Sequence, residues 1–172
     1  MIQISFQPAF DPYHAVFRFL RIQKTILKRG ALHFDQIRII DFFLLFPFRI
    51  GKIRLKPEHR KFRRLATQYQ VLKPYGELPD DRLIFDRMEP FQFAALQSLK
   101  SYGYLTSEDL DFSRVSIVAE PPEELARRIE AANKRDASLL EFLDVLSSEY
   151  ELQGRDGLKD RSDLLDYRYD AI

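Results

Sequence analysis

The side chains able to do acid–base or metal chemistry are few and scattered. Three histidines, His14, His33 and His59, stand far apart in the 172-residue chain. None falls in a zinc-binding spacing such as His-x3-His or HExxH. Asp11 and His14 are three apart, so on a helix they share a face. They form the one carboxylate–imidazole combination of note, and its simpler reading is a histidine packed or hydrogen-bonded near a helix start. There is no cysteine, which removes disulfides, thiolate metal sites and cysteine nucleophiles. The six glycines form neither GxGxxG nor a P-loop, and no GxSxG elbow is present. Asp80–Asp81 and Asp109–Asp111 read as solvated or capping turns. No catalytic residue, metal or cofactor is predicted, and the chain reads as a non-enzyme.

The pattern with the most chemical content is basic. Arg49, Lys52, Arg54, Lys56, Arg60, Lys61, Arg63 and Arg64 lie in one short segment with a single acid, Glu58. A Lys or Arg that reaches a phosphate releases counterions and adds a salt-dependent increment to binding. Three readings fit: contact with DNA or RNA, a dock for an acidic protein surface, and a solvated face. The whole chain is charge-split. Residues 1–76 carry 15 Lys+Arg and 4 Asp+Glu, residues 77–172 carry 12 and 22, and the net charge is +1. Either the halves are two binding surfaces or they neutralise each other inside one fold.

Local signals place these residues on elements. Ile2, Ile4 and Phe6 alternate with polar residues, which fits a strand or an extended arm over 2–7. A helix is predicted from Asp11 to Arg29, capped by Asp11, opened by Pro12 and stopped by Gly30. Tyr13, Val16, Phe17, Leu20 and Leu27 form its apolar face. A second helix runs from Phe34 or Asp35 to Phe46, with an apolar arc wide enough for burial on most sides. Pro47 ends it. A third opens at Pro57 and runs to Tyr69. The 73–81 stretch is a loop. Two further helices follow, one from Asp81 with Leu83, Ile84 and Met88 packed, and one from Pro90 to Tyr102. Val115 and Ile117 mark a strand.

Pro121 and Pro122 then separate a pair of helices, 123–134 and 137–150. In the second, Leu139, Leu143, Leu146 and Tyr150 form a seam that suits either the core or a partner helix; it is taken as the candidate partner-binding surface.

The expected fold is therefore mainly α with a small β element (α+β). Residues 1–120 form a helical core domain whose helix–helix–helix–strand order is compatible with a winged helix. Residues 121–152 add a C-terminal helical pair. Residues 153–172 are polar and read as a flexible or partner-docking tail with one amphipathic turn around Leu164, Leu165 and Tyr167. At 45% hydrophobic and 31% charged, with 15 phenylalanines and no tryptophan, the chain is globular and aromatic-cored. The first residues lack the basic start and apolar run of a signal peptide. The longest apolar run, 37–48, is interrupted by Arg38, Asp41 and Pro47 and is far short of the ~20 residues a membrane span needs. A cytoplasmic protein with no membrane contact is expected.

Two stretches carry more than generic pattern. FDPYHAVFRFLRI (10–22) and LHFDQIRIIDFFLLFPFRI (32–50) resemble the opening of the middle components of bacterial ABC-three-component systems. These are small subunits found in Lamassu-type anti-phage and anti-plasmid operons. Asp11, Pro12, Tyr13 and His14 match an early Asp-Pro-Tyr-His helix. Ile39, Asp41, Phe42, Leu44, Leu45, Phe46 and Pro47 match the apolar helix that follows. The resemblance is clear over 8–50 and faint beyond. It implies an adaptor in antiviral defence, acting through protein–protein interaction and carrying no catalytic residues. Its partners would be an SMC-like (Rad50-like) ATPase and an effector subunit, often a nuclease, with double-stranded DNA as a further contact. The residue pattern by itself also fits a stand-alone winged-helix DNA-binding regulator.

Overall fold

The first helix, α1 (Pro12–Thr25), begins where its cap is written: the Asp11 carboxylate accepts from the Tyr13 N–H at 2.9 Å, and Pro12 takes the first turn. The structure, a computed structural model, describes residues 7–26, 30–108 and 110–168. Residues 2–6 of the predicted 2–7 arm, and Leu27, Lys28 and Arg29 of the predicted first helix, lie outside the described residues. Helix α2 (Phe34–Leu45) is capped by His33, whose Nδ1 accepts from the Asp35 N–H at 3.0 Å. Pro47 ends it and opens a 3-10 turn, Pro47–Lys52.

The predicted third helix is divided. Pro57–Arg63 winds as 3-10, and only Arg64–Gln68 is α-helical, α3. The two helices expected after residue 81 are one, α4 (Asp81–Ser101), running through Pro90. A proline inside a helix removes one backbone bond. Here the buried stripe Ile84, Phe85, Met88, Gln92, Ala95, Leu96 and Leu99 continues at helical spacing across it, and tertiary packing offsets the loss. Leu83 and Tyr102, expected to pack, are exposed, as is Tyr13 of α1.

After α4, β1 (Leu105–Ser107) and β2 (Val115–Ile117) pair antiparallel, with Leu105 opposite Ile117, and Leu32 bridges to Val115. The fold is mainly helical α+β, and the winged-helix reading gains no support from a hairpin this small. Helices α5 (Glu123–Arg135) and α6 (Ala137–Ser148) follow. A last short helix, α7 (Leu158–Ser162), lies within the stretch read as a flexible or partner-docking tail, and Leu158 and Leu164 are buried. Gly157 permits the turn into α7: a Cβ there would meet the Gln153 carbonyl oxygen at 2.2 Å.

One continuous apolar cluster joins all three predicted segments. Phe42 sits against Phe43, Phe46 and Phe85 with ring centroids 5.5, 5.2 and 6.0 Å away. Phe142 of α6 extends the cluster to Phe62, 5.3 Å away. Offset and edge-on ring pairs of this kind add to the burial term. Helix α1 packs on α4 and α5, and α2 packs on α6 and α7.

Candidate functional site

The segment holding Pro57–Arg63 and α3 lies along α6, joined to it at three levels. The Lys56 N–H donates to the Tyr150 hydroxyl at 2.9 Å, Phe62 meets Phe142, and the Tyr69 hydroxyl donates to Asp136 at 2.8 Å. Burying Phe62 and Leu65 inward turns the basic residues between them outward. Five of the eight have internal partners. Arg49 and Lys52 clamp Asp81 at 2.7 and 2.9 Å. Arg54 pairs with Asp160 at 2.7 Å. Lys56 donates to the Glu149 carbonyl and lies 4.8 Å from the Tyr150 ring. Lys61 reaches Glu141 at 3.4 Å, with both side chains well exposed, a separation and setting worth little.

Arg60, Arg63 and Arg64 are exposed and make no ion pair among the described residues. The structure thus brings much of the charge asymmetry together inside one fold, acidic C-terminal half on basic segment, and leaves three guanidinium groups outward.

The leucine seam faces the other way. Leu139, Leu143 and Leu146 are at most 1% exposed and Tyr150 is 4% exposed. Of the two placements open to it, the seam takes the core. An i, i+4, i+7 stripe marks an apolar face without naming what covers it; here α2 packs on α6, and the His59 ring lies against Tyr150. Tyr150 is a junction: its hydroxyl also meets His59 Nδ1 at 2.9 Å. Burial pushes its hydroxyl pKa up, with the Lys56 amide hydrogen bond and Arg161 acting against the rise.

Asp11 and His14 are each engaged by other groups. Asp11 is spent on its cap, and His14 Nδ1 lies 2.9 Å from Arg18 Nη1. Burial, then the Arg18 charge, lowers the His14 pKa from its ordinary 6.5. Arg18 is the centre of a buried polar chain. Its Nε and Nη2 donate to the two Asp41 oxygens at 2.5 and 2.9 Å, and Nη1 donates to the Pro8 carbonyl at 2.9 Å. Gln92 donates to Asp41 at 2.8 Å and accepts from Arg38 at 3.2 Å. Arg38 lies 4.1 Å from the Phe85 ring and pairs with Glu89 at 3.1 Å. Desolvation lowers the Arg38 pKa, opposed by Glu89 and Asp35. A bidentate, fully hydrogen-bonded Arg–Asp pair fixes the relative placement of two helices. It leaves neither group poised for proton transfer.

A second charged staple ties α1 to α5 and α6. Arg21 pairs with Asp136 at 2.8 Å and donates to Asn133 at 2.9 Å. The Tyr69 hydroxyl, on the same carboxylate, is pushed up to about 12 by burial, then by its hydrogen bond to Asp136. Among the described residues, no group of three or more His, Cys, Asp and Glu side chains is placed to hold a metal ion. No helix there is long and apolar enough to cross a membrane.

A family model, the ABC-three component (ABC-3C) system Middle Component 5, matches residues 4–170. The chain belongs to that family. No curated protein and no solved structure matches it significantly. The match includes the acidic half, in which no motif is legible. It also gives the quoted residues a physical meaning. His14 of the first stretch and Asp41 of the second meet at Arg18, and Phe42 and Leu44 are buried. Sequence reasoning passed over Arg18, Arg38 and Gln92. The available signal was two charges, Arg38 and Asp41, standing in an otherwise apolar helix, because such charges are retained only when paired.

Proposed function

We propose that this middle component is a non-catalytic adaptor, joining an SMC-like (Rad50-like) ATPase to an effector subunit in a Lamassu-type anti-phage or anti-plasmid defence complex. The observation that carries the reading is the family match over residues 4–170, which places the chain in a system of several components. The arrangement of ionisable groups supports the same reading. Arg18 pairs with Asp41, Arg21 with Asp136 and Arg38 with Glu89 across helices, and rigid internal pairing suits a scaffold. Arg60, Arg63 and Arg64 supply an outward cationic strip for DNA phosphate or an acidic partner surface. A stand-alone regulator is not favoured, since most of the basic segment is engaged inside the fold.

Co-expression with the two neighbouring components, followed by tandem-tag purification, tests the adaptor role. The expected result is one stoichiometric complex in which ATPase and effector fail to associate when this chain is omitted. Retention of the ATPase–effector contact without it would refute the bridge.

A further inference from the structure

The 3-10 turn Pro8–Phe10, the end of α2, the loop after residue 73 and the first turns of α4 surround an open groove of about 430 Å³. Phe10, Phe46, Leu78, Leu83 and Ile84 are among its walls. Next to Pro74, which also lines it, Val71, Leu72 and Tyr75 are 87%, 55% and 109% exposed. Large apolar side chains left in water around a concave apolar surface mark a binding site.

The charged residue of the lining is Arg87. On α4 its neighbours three and four residues away are Leu83, Ile84, Pro90 and Phe91, so its own helix offers it no carboxylate. The adjacent Asp86 acts on Arg38, on a different face. Arg87 makes no ion pair among the described residues. A guanidinium at the edge of an apolar groove pairs best with a carboxylate delivered from outside.

We infer that this groove receives an amphipathic segment of a partner subunit, with apolar side chains against Phe46, Leu78 and Leu83 and an Asp or Glu on Arg87. This deepens the adaptor reading and rests on it. Two rival occupants fit less well. Residues 1–6 precede Gln7, which lines the groove, yet their sequence, MIQISF, contains no acid. A second copy could offer Leu110, 83% exposed between Glu108 and Asp111. That contact is head-to-tail, so it closes only if its rotation completes a ring, and Leu110 is a single apolar side chain set between two acids. An apolar-faced helix laid into a groove is a common mode of subunit capture.

The test uses the full chain co-expressed with both other components, with photoreactive benzoylphenylalanine at Tyr75, and, separately, the exposed-site variants Arg87→Glu and Leu83→Asp. The expected cross-link maps to a partner segment that combines apolar residues with Asp or Glu. Arg87→Glu weakens the complex at least about 10-fold through like-charge contact, and replacing the cross-linked acid by Arg restores it. Unchanged thermal melting shows that the variants are folded. Cross-links to residues 1–6 of the same chain, or to a second copy, overturn the inference. So does undiminished affinity of both variants in a complex that assembles, and either outcome leaves the adaptor role standing. A wild-type chain that assembles with neither component overturns both.

Discussion

Replacing Asp41 with alanine should strand the Arg18 guanidinium in the core. Arg18 is 2% exposed and Asp41 is 0% exposed. The carboxylate accepts three hydrogen bonds, two from Arg18 at 2.5 and 2.9 Å and one from Gln92 at 2.8 Å. Removing one partner of a buried pair leaves an uncompensated charge and costs about 3–5 kcal/mol. For a chain of this size each kcal/mol moves Tm by about 2–4 °C, so the midpoint should fall by roughly 6–20 °C. The double substitution Asp41→Leu with Arg18→Met removes both charges. It takes one partner each from the Pro8 carbonyl, His14 Nδ1 and the Gln92 amide, at about 1–3 kcal/mol for each group left unsatisfied. It should therefore be far less damaging than the two single changes added together, with a coupling of about 2 kcal/mol or more. Urea unfolding followed by circular dichroism measures all four corners of the cycle. Repeating it in 1 M salt checks burial, since a buried pair is little screened. An Asp41→Ala protein within about 1 kcal/mol of wild type, or strictly additive single changes, would refute the claim that this pair locks α1 to α2.

Four further outcomes are expected. If the outward strip contacts DNA, the log–log salt slope of binding should be near −3, the value for three phosphates at about −0.9 each, and well short of the roughly −7 of eight; filter binding at several salt concentrations checks it, and Arg60→Gln, Arg63→Gln and Arg64→Gln together should flatten it. Leu143→Ala should lower stability by about 2–5 kcal/mol, read by denaturant melting, because Leu143 is 0% exposed. His14 has a lowered pKa, so the unfolded chain binds its proton more readily; stability is full above pH 6.5 and is lost as pH falls through the lower folded value, and His14→Gln should lessen that loss in melts between pH 7 and 5. The Tyr69 pKa is pushed up to about 12, so its stabilisation persists below pH 10 and is lost between 10 and 12; Tyr69→Phe should remove a late phase from the ultraviolet tyrosine titration and lower stability by about 1.5–3 kcal/mol, the range for a hydrogen bond to a charged group.

The match over nearly the whole chain changes how the acidic half is understood. It is the counterpart that the basic segment needs. Asp81 meets Arg49 and Lys52, Asp160 meets Arg54, and Glu141 meets Lys61. Charge-split composition is then largely a folding device, and only the cations left over after internal pairing are free for a partner. Spending the leucine seam on the core moves the candidate partner surface to the groove around Arg87 and the strip at Arg60–Arg64.

What the sequence determined by itself is what neighbouring residues decide. Asp11 before Pro12 starts α1, Pro47 ends α2, and the apolar periods of α2 and α6 mark their buried faces. Each signal acts within a few residues, so composition and spacing suffice to read it. Tertiary structure decided the rest, because the deciding partners are remote in the chain. Arg18 finds Asp41 at a separation of 23 residues, Gln92 finds it at 51, and Arg54 finds Asp160 at 106. Helix α4 runs through Pro90, and residues 158–164 are folded, for the same reason: packing against distant elements outweighs a local breaker or a polar composition. Which cations are left facing solvent follows only after those pairings are made.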